Sequence, residues 1–568
     1  MNGSSWTKSG GTLNAQTGTV LFRPWGTTET ITGSQSLNNV TFGGSQGVIT
    51  VASGTTLTVA GTLSFNIPDS ITINTGTIAA QGDISFVTSV VPGGNATILI
   101  NGTDTQTFTG PSSPSFPSAD LPTININKAN SSTLNLAGTI GSGNWTYVAG
   151  TINAGTSTVL FRPWGTTKTI TGSQSFNNVI FGGSQATVTI ASGTTVTVTG
   201  TVNFNNPDNI TINTGTIAAQ GDVTISNSNT YSGTAVLNLT GTADQTITSS
   251  GGSGTFRLSP TINKESGTVT LASALDLNYS GEDLTITSGT LDLAGYALTV
   301  NDQFTIGASG TLQLQGGETV STVDTNSGTV VYNGTSGPYT LKNWPYANLQ
   351  LSSASATTYT APAAMTLTGN LTVDANNTFD PGGYLITGSG TNVLTNSGTI
   401  LVDASTFAGS YASWETRTMN SGSTVNYSLA GDQTIDNTLT YQNLTTSGSG
   451  TKSLGGTTTV SGNLTISAGT LDAVSGQNYS LSVGGNWSNA GTFTARSGTV
   501  TLTGTGSGGT ITSGGSSFYN LTQNGSGGTY TLQDALTASN NLTITAGTLD
   551  TKTGSNYGIT LAGNWSNS

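Results

Sequence analysis

Hydrophobic and polar residues alternate along short segments of this 568-residue chain. In residues 187–204, TVTIASGTTVTVTGTVNF, one side of an extended chain would carry Val188, Ile190, Val196, Val198, Val202 and Phe204. A period of two is typical of β-strands, and the Gly residues that interrupt it mark turns. Because no segment shows helical periodicity, the pattern predicts an all-β protein.

Long stretches of sequence recur at fixed spacings. TVLFRPWGTT occupies residues 19–28 and again residues 158–167, a spacing of 139 residues. Near the C-terminus, NLTISAGTLD at 463–472 returns as NLTITAGTLD at 541–550, a spacing of 78 residues. Fixed periods of this length are the signature of arrays of stacked structural repeats.

A looser motif marks about seven degenerate repeats, spaced 55 to 95 residues apart. Its copies are LNNV (37–40), LPTI (121–124), FNNV (176–179), LSPTI (258–262), YANL (346–349), YQNL (441–444) and FYNL (518–521). We interpret residues 1–568 as one continuous array. It comprises near-identical blocks at 6–84 and 145–223, degenerate repeats over 224–460 and 78-residue repeats over 461–568. Similar elements open and close the sequence, so we expect a segment of a larger protein.

Two all-β architectures fit short strands separated by tight turns. Tandem β-sandwich domains need about 100 residues each, with boundaries and linkers. A parallel β-helix, or β-solenoid, tolerates variable repeat lengths because each coil contacts only its neighbours. The chain has no Pro-rich or charged linker, so the β-solenoid is predicted and tandem β-sandwich domains are the alternative.

Differences between the near-identical blocks suggest which residues face the interior. Leu63 becomes Val202, an exchange that core positions tolerate. Glu29 becomes Lys168, and this charge reversal predicts a solvated position.

Composition excludes several kinds of chemistry. The sequence has no Cys and no His, so it has no disulfides, thiolate nucleophile, Ser-His-Asp triad or ordinary zinc site. The net charge is −13, and no Lys/Arg cluster suggests nucleic acid as a partner. No apolar run is long enough to span a membrane, so membrane insertion is not expected.

Carboxylates are the remaining acid–base groups, and several recur beside Gly or Thr in predicted turns. They are Asp83, Asp104, Asp222, Asp244, Asp432, Asp472 and Asp550. We expect their side chains to bond to their own turns. Catalysis would require two carboxylates to converge, whereas equivalent repeat positions lie coils apart, so no enzymatic activity is predicted. No cofactor is expected; Ca²⁺ at such turns is the alternative, although no established calcium-loop motif occurs.

Two tryptophan-containing motifs recur. LFRPWGTT places a cation beside an indole in each block, which predicts a structural corner or, alternatively, a ligand or surface contact through Arg23, Trp25, Arg162 and Trp164. GNW recurs with Trp145, Trp487 and Trp565, which we expect to pack in the core of the repeats.

The C-terminal pattern resembles the β-strand-repeat surface proteins of bacteria, which are similar to filamentous-haemagglutinin-like adhesins and autotransporter passengers. The residues that carry the resemblance are 463–472, GNWSN at 485–489 and GTFTARSGTVTLTG at 491–504. The resemblance implies a right-handed parallel β-helix, secretion to the bacterial cell surface and a passive role as a stalk, coat or adhesin.

The function expected from the sequence is that of a non-catalytic extracellular structural or adhesive segment. Its partners would be further copies of itself, stacked end to end or laterally, and carbohydrate or another cell surface. A polysaccharide-binding or polysaccharide-cleaving β-helix is the alternative. Ice binding is a remote alternative, suggested by T-x-T runs such as Thr187-Val188-Thr189.

Overall fold

The computed structural model describes residues 5–116, 120–129, 131–183, 185–205, 210–226, 231–250 and 258–568. The protein is 53% strand and 1% helix, and its parallel sheets stack as a β-solenoid of about 26 turns. The predicted β-solenoid is confirmed, and the β-sandwich alternative is wrong. Each of the roughly seven sequence repeats therefore contains several turns.

The chain divides into two compact units, Met1–Gly310 with Thr319–Thr322, and Thr311–Glu318 with Val323–Ser568. The strands of the first unit are β1 (Trp6–Thr7), β2 (Thr19–Phe22), β3 (Thr28–Thr32), β4 (Gln35–Leu37), β5 (Asn39–Gly43), β6 (Gly47–Val51), β7 (Thr56–Val59), β8 (Leu63–Asn66), β9 (Ile71–Asn74), β10 (Thr77–Ala80), β11 (Ile84–Phe86), β12 (Thr97–Ile100), β13 (Gln106–Thr109), β14 (Thr123–Asn127), β15 (Thr133–Ala137), β16 (Thr139–Ser142), β17 (Trp145–Ala149), β18 (Thr151–Asn153), β19 (Thr158–Phe161), β20 (Thr167–Thr171), β21 (Gln174–Phe176), β22 (Asn178–Phe181), β23 (Ala186–Ile190), β24 (Thr195–Val198), β25 (Val202–Phe204), β26 (Ile210–Asn213), β27 (Thr216–Ala219), β28 (Val223–Ile225), β29 (Tyr231–Ser232), β30 (Val236–Leu239), β31 (Gln245–Ser249), β32 (Pro260–Leu271), β33 (Leu275–Leu277), β34 (Leu284–Asp292) and β35 (Leu298–Val300).

Strand β36 (Phe304–Leu314) begins in the first unit and ends in the second, since the division lies after Gly310. The elements that follow are β37 (Thr325–Asn326), β38 (Thr329–Tyr332), β39 (Tyr339–Thr340), β40 (Asn348–Leu351), β41 (Thr357–Thr360), β42 (Met365–Thr366), β43 (Leu371–Val373), β44 (Asn377–Asp380), β45 (Ile386–Thr387), β46 (Val393–Asn396), β47 (Thr399–Val402), α1 (Phe407–Ser410), β48 (Tyr411–Ala412), β49 (Thr416–Met419), β50 (Thr424–Tyr427), β51 (Gln433–Ile435), β52 (Thr440–Tyr441), β53 (Asn443–Thr446), β54 (Thr451–Leu454), β55 (Thr458–Val460), β56 (Leu464–Ile466), β57 (Thr470–Asp472), β58 (Leu481–Val483), β59 (Trp487–Asn489), β60 (Thr492–Thr494), β61 (Thr499–Leu502), β62 (Gly509–Thr512), β63 (Asn520–Leu532), β64 (Leu536–Ala538), β65 (Leu542–Asp550), β66 (Ile559–Leu561) and β67 (Trp565–Asn567).

Three parallel sheets form the sides of the first coils. Their strand orders are β1-β3-β6-β9, β29-β26-β23-β20-β17-β14-β12-β10-β7-β4 and β18-β15-β13-β11-β8-β5-β2. In the second unit, most strands belong to a sixteen-stranded sheet that includes β41-β44-β47-β50-β53-β56-β59-β62. Neighbouring strands in a sheet come from successive coils, so that Val40 lies beside Leu63.

The core consists of columns of like residues stacked along each sheet. Phe22, Phe42, Phe65, Phe86 and Phe108 form one column, with ring centroids 5.7, 5.9, 4.7 and 6.3 Å apart. Aromatic pairs at such distances add about 0.5–1.5 kcal/mol each to the free energy gained from burial. The period-two pattern of the sequence therefore becomes a continuous apolar interior.

Asparagine side chains link each coil to the next. The Oδ1 atom of Asn443 accepts the N–H of Asn463, whose own Oδ1 accepts the N–H of Asn486, at 2.9 and 2.8 Å. Asn486 accepts the N–H of Thr510 at 2.9 Å. Equivalent bonds join Asn39 to Thr62, Asn178 to Thr201, Asn348 to Asn370, Asn370 to Val393 and Asn541 to Asn564. The third residue of LNNV, FNNV, YANL and YQNL is thus the hydrogen-bond acceptor for the following coil.

A glycine precedes many of these asparagines because the Asn of the previous coil lies against it. A Cβ atom on Gly485 would lie 2.5 Å from Oδ1 of Asn463, and one on Gly369 would lie 2.4 Å from Oδ1 of Asn348. Neither distance can hold a carbon atom unless the asparagine side chain or the backbone shifts. The recurring Gly-Asn pair therefore follows from close stacking of coils.

The two near-identical blocks lie on different sides of the coil. Strand β3 belongs to the four-stranded sheet, whereas its counterpart β20 belongs to the ten-stranded sheet, which also contains β4. Likewise β4 and its counterpart β21 belong to different sheets. The 139-residue repeat is therefore not a whole number of turns, and each equivalent residue moves to another side.

The charge exchange between the blocks occurs at a buried position, not at a solvated one as predicted. Glu29 is 1% exposed, and the side chain of Lys168 is 12% exposed. Both lie two residues before a buried isoleucine, on the inward side of their strands. Lys168 is accommodated because its Nζ atom forms an ion pair with Asp120, 2.9 Å from Oδ2.

We expect Gly485→Ala to destabilise the protein by about 1–3 kcal/mol, because the new methyl group forces neighbouring coils apart. Gly508→Ala is the matched control, since a Cβ atom there meets nothing within 4 Å. Urea unfolding of both variants, followed by Trp fluorescence, measures the difference. Equal midpoints for the two variants would show that coil spacing does not require this glycine.

Candidate functional site

An arginine and a tryptophan lie together at the corner after β19. Pro163 separates Arg162 from Trp164, and its ring fixes the backbone at the bend. The Arg162 guanidinium lies over two aromatic rings, 5.7 Å from the Phe116 centroid and 5.1 Å from that of Trp164. Burial lowers the pKa of Arg162, but an arginine remains charged in proteins. The corner therefore holds a cation stacked on aromatic rings.

A hollow of about 240 Å³ opens beside this corner. Its lining residues are Leu160, Arg162, Trp164, Ile180, Gly182, Gly183 and Asn205. Leu160 and Ile180 are neighbours on β19 and β22, and they place apolar side chains on the outer side of the strands. Gly183 has φ +127°, and a Cβ atom there would lie 2.4 Å from the Pro163 carbonyl oxygen. The hollow thus combines apolar walls, one cation and a glycine-dependent floor.

The first block repeats the corner with a more exposed tryptophan. Arg23 lies over Trp25 at 5.5 Å, and Trp25 is 56% exposed, against 37% for Trp164. Thr41, not isoleucine, lies beside Leu21. The structure therefore pairs both arginines and tryptophans selected from the sequence and leaves both indoles accessible to a ligand.

Most of the recurring aspartates bond to the next coil and not to their own turns. Asp83, Asp222, Asp244 and Asp432 each accept a backbone N–H 19 to 24 residues later, at 2.7–2.8 Å. The predicted own-turn bond occurs at Asp472 and Asp550, which accept the N–H groups of Val474 and Lys552. Asp472 also forms an ion pair with Arg496. These carboxylates act as acceptors within the stack.

Buried lysines form a second link between coils, which the sequence did not reveal. The Nζ atom of Lys128 donates to the carbonyls of Gly102 and Asp104, at 2.8 and 2.9 Å, and to Oε1 of Gln106 at 2.5 Å. Lys264 bonds in the same way to Oε1 of Gln245, at 2.6 Å. Burial lowers the pKa of both lysines. The sequence signals for these bonds were the turns Asp-Thr-Gln at 104–106 and Asp-Gln-Thr at 244–246. Each turn places a Gln one coil before the Lys that donates to it.

Two aspartates that sequence analysis did not select converge in the second unit. Asp380 ends β44, Asp403 follows β47, and the two carboxyl groups lie close enough to interact. Ser428 donates to Asp403, and Asp380 accepts the N–H of Gly382 at 2.7 Å. Burial and the Asp403 carboxyl raise the pKa of Asp380, so Asp380 holds its proton to higher pH than an isolated aspartate.

The three tryptophans of the GNW motif have different environments. Trp145 is fully buried and donates from Nε1 to Gln174, at 2.9 Å. Trp487 is also buried, with the rings of Phe493 and Phe518 at 4.8 and 4.9 Å. Trp565 is 52% exposed, because its strand β67 pairs only with β65.

Among the residues that the structure describes, no group of three or more acidic, His or Cys residues could hold a metal ion. No helix in the described ranges is long and apolar enough to cross a membrane.

We expect Asp380→Asn to stabilise the protein at neutral pH. A carboxyl with a raised folded-state pKa contributes stability at low pH, and that contribution is lost as pH rises from its usual value of 3.8 through the folded pKa. Urea midpoints from about pH 3 to pH 7 should therefore fall with pH more steeply in the native chain than in the variant. Asp374→Asn is the control, because it removes a charge but keeps a side-chain oxygen that can accept from Gln350. Parallel curves for the native chain and Asp380→Asn would contradict the raised pKa of Asp380.

No protein-family model, curated protein or solved structure matches the chain.

Proposed function

We propose that this protein is a non-catalytic structural or adhesive segment of an extracellular, cell-surface β-solenoid. The proposal includes self-association of copies by strand stacking and contact with carbohydrate or another cell surface. It is supported by the repeated-coil fold and by the resemblance of residues 463–504 to bacterial β-strand-repeat surface proteins.

The observation that carries the proposal is that the recurring Asp side chains and the buried Lys side chains bond to the backbone of neighbouring coils. Asp83 and Asp222 accept backbone N–H groups of the next coil, and Lys128 and Lys264 bind turn carbonyls. Each such bond stabilises the contact between two coils, and the bonds repeat along the stack. Residues with acid–base capacity thus serve to hold coils together, which suits a mechanical role.

A polysaccharide-binding solenoid is the second candidate, favoured by the hollow beside Arg162 and Trp164. Cleavage is less well supported. Glycoside hydrolysis uses carboxyl groups about 5–5.5 Å or about 6.5–9.5 Å apart, so that a sugar bond or a water fits between them. Asp380 and Asp403 are instead both bonded within the stack, since Asp380 accepts the N–H of Gly382 and Ser428 donates to Asp403.

Two assays of the full chain test the proposal. The purified protein should release no reducing ends from a panel of neutral and acidic polysaccharides. Displayed on the surface of a non-adherent bacterium, it should increase retention on coated surfaces under flow. Polysaccharide cleavage that is lost in Asp380→Asn would show that the protein is an enzyme and not a passive scaffold. Retention equal to that of the bacterium without the displayed protein would contradict the adhesive role.

A further inference from the structure

We propose that a hollow between the coil of β18 and the coil of β21 binds a single neutral sugar ring, and that the side-chain amide of Gln174 donates a hydrogen bond to it. This inference rests on the carbohydrate contact in the proposed function and specifies its site and ligand class. Both coils lie in the first unit, so the site belongs to one compact body.

The hollow lies where the wall of the solenoid is interrupted. Strand β18 is the last strand of the seven-stranded sheet, whereas β21, one coil later, belongs to the nineteen-stranded sheet. Within the described ranges, no ladder joins these two strands. The space between them has a volume of about 290 Å³, and its lining residues are Tyr147, Gly150, Thr151, Ile152, Gln174 and Ser175. Thr151 and Ser175 are exposed, so the hollow opens to solvent.

The orientation of the Gln174 amide is fixed by Trp145. An indole Nε1 can only donate a hydrogen bond, so its bond to Gln174, at 2.9 Å, identifies the facing atom as Oε1. Gln174 is 9% exposed, and its Nε2 atom has no hydrogen-bond partner among the residues that the structure describes. A buried donor without a partner is unfavourable, and an acceptor on a ligand would remove that penalty.

Other glutamines at the same place in the coil show which bond Gln174 lacks. Three of them are buried and begin a strand, as Gln174 does: Gln106, Gln245 and Gln433. The Nε2 atom of Gln106 donates to the carbonyls of Ala80 and Gly82 in the preceding coil, at 3.1 and 2.5 Å. The other two also donate to a pair of carbonyls in the preceding coil. The amide of Gln174 therefore differs from its counterparts in having a free donor.

The preceding coil does not supply this acceptor to Gln174. Its Gly150 carbonyl accepts the hydroxyl of Tyr147 at 2.5 Å, and the hollow separates Gly150 from Gln174. An oxygen atom of a ligand in the hollow would take the role that backbone carbonyls have for the other glutamines.

The lining residues favour a neutral ring that carries hydroxyl groups. None of the described residues that line the hollow is charged, and an ion is costly to bury where no opposite charge meets it. A purely apolar molecule would leave the donor of Gln174 unpaired. The ring of Tyr147 and the side chain of Ile152 offer apolar contact, and the hydroxyls of Thr151 and Ser175 can donate or accept. A pyranose combines an apolar face with a rim of hydroxyls and meets these requirements.

The first block supplies a matched comparison. Its equivalent glutamine, Gln35, also has an Nε2 atom without a partner among the described residues. A hollow of about 220 Å³ lies nearby, and Ser36, the counterpart of Ser175, lines it. Lys8, however, stands at the position of Tyr147, so the first block lacks this aromatic wall. We therefore assign the sugar to the second block only.

Saturation-transfer NMR of the full chain tests the ligand class. The neutral probes are the methyl glycosides of glucose, galactose, mannose and N-acetylglucosamine, and methyl glucuronide is the charged probe, because it keeps the glucose ring and adds a carboxylate. We expect at least one neutral glycoside to bind about tenfold more tightly than the glucuronide. Binding by none of the neutral glycosides, or equal binding by the glucuronide, would overturn the assignment.

Variants test the location. Ser175→Phe should fill the hollow and reduce affinity about tenfold, and Gln174→Met, which removes the donor, should have a similar effect. Ser36→Phe is the matched change in the first block and should leave affinity unchanged. Circular dichroism and melting temperature verify the fold, and Thr151→Phe fills the hollow from the opposite wall if Ser175→Phe is unstable. Unchanged affinity in the folded second-block variants, or a loss in Ser36→Phe, would place the sugar elsewhere.

A flow assay separates this site from the proposed adhesive function. Bacteria that display the native chain should be retained on a polymer that carries the bound sugar as side groups, and Ser175→Phe should lower retention to that of bacteria without the chain. Retention that Ser175→Phe leaves unchanged would refute the site and leave adhesion standing. Sugar binding in solution that depends on Ser175 but gives no retention would support the site and refute the adhesive role.

Discussion

The close stacking of parallel strands, about 4.8 Å apart, is the constraint on which the rest of this structure depends. At that spacing, each residue lies against the equivalent residue of the next coil. Like residues therefore form columns, as Phe22, Phe42 and Phe65 do in the core. The same spacing brings the Oδ1 atom of Asn463 onto the backbone of Asn486 and requires glycine at position 485.

This constraint also decides what the polar residues can do. A carboxylate at the end of one strand lies within reach of a backbone N–H in the next coil, and Asp83 and Asp432 are used in that way. Lys128 is buried for a related reason, since turn carbonyls of the preceding coil surround its ammonium group. Carboxylates and lysines, which act in catalysis in other proteins, bond neighbouring coils together here. Side chains that a ligand could reach, such as that of Trp164, lie at corners.

Because the 139-residue repeat is not a whole number of turns, residues that are equivalent in sequence lie on different sides of the coil. Thr28–Thr32 and Thr167–Thr171 have the same role in their blocks but belong to different sheets. Conversely, Asp380 and Asp403 do not belong to one recurring motif, yet their spacing of one coil brings their carboxyl groups together. Proximity in this fold is set by coil length and not by the sequence period.

The sequence by itself determined the all-β class, the solenoid and the inward residues, because strand alternation and fixed periods are local properties of the chain. It also identified the Arg–Trp corners, since those residues are separated by a single proline. Only the tertiary structure decided that Glu29 is buried, that Asp380 meets Asp403, and that the two corners face different sides. Each of these depends on the number of residues in every intervening turn, because that number sets which side of the coil a residue occupies.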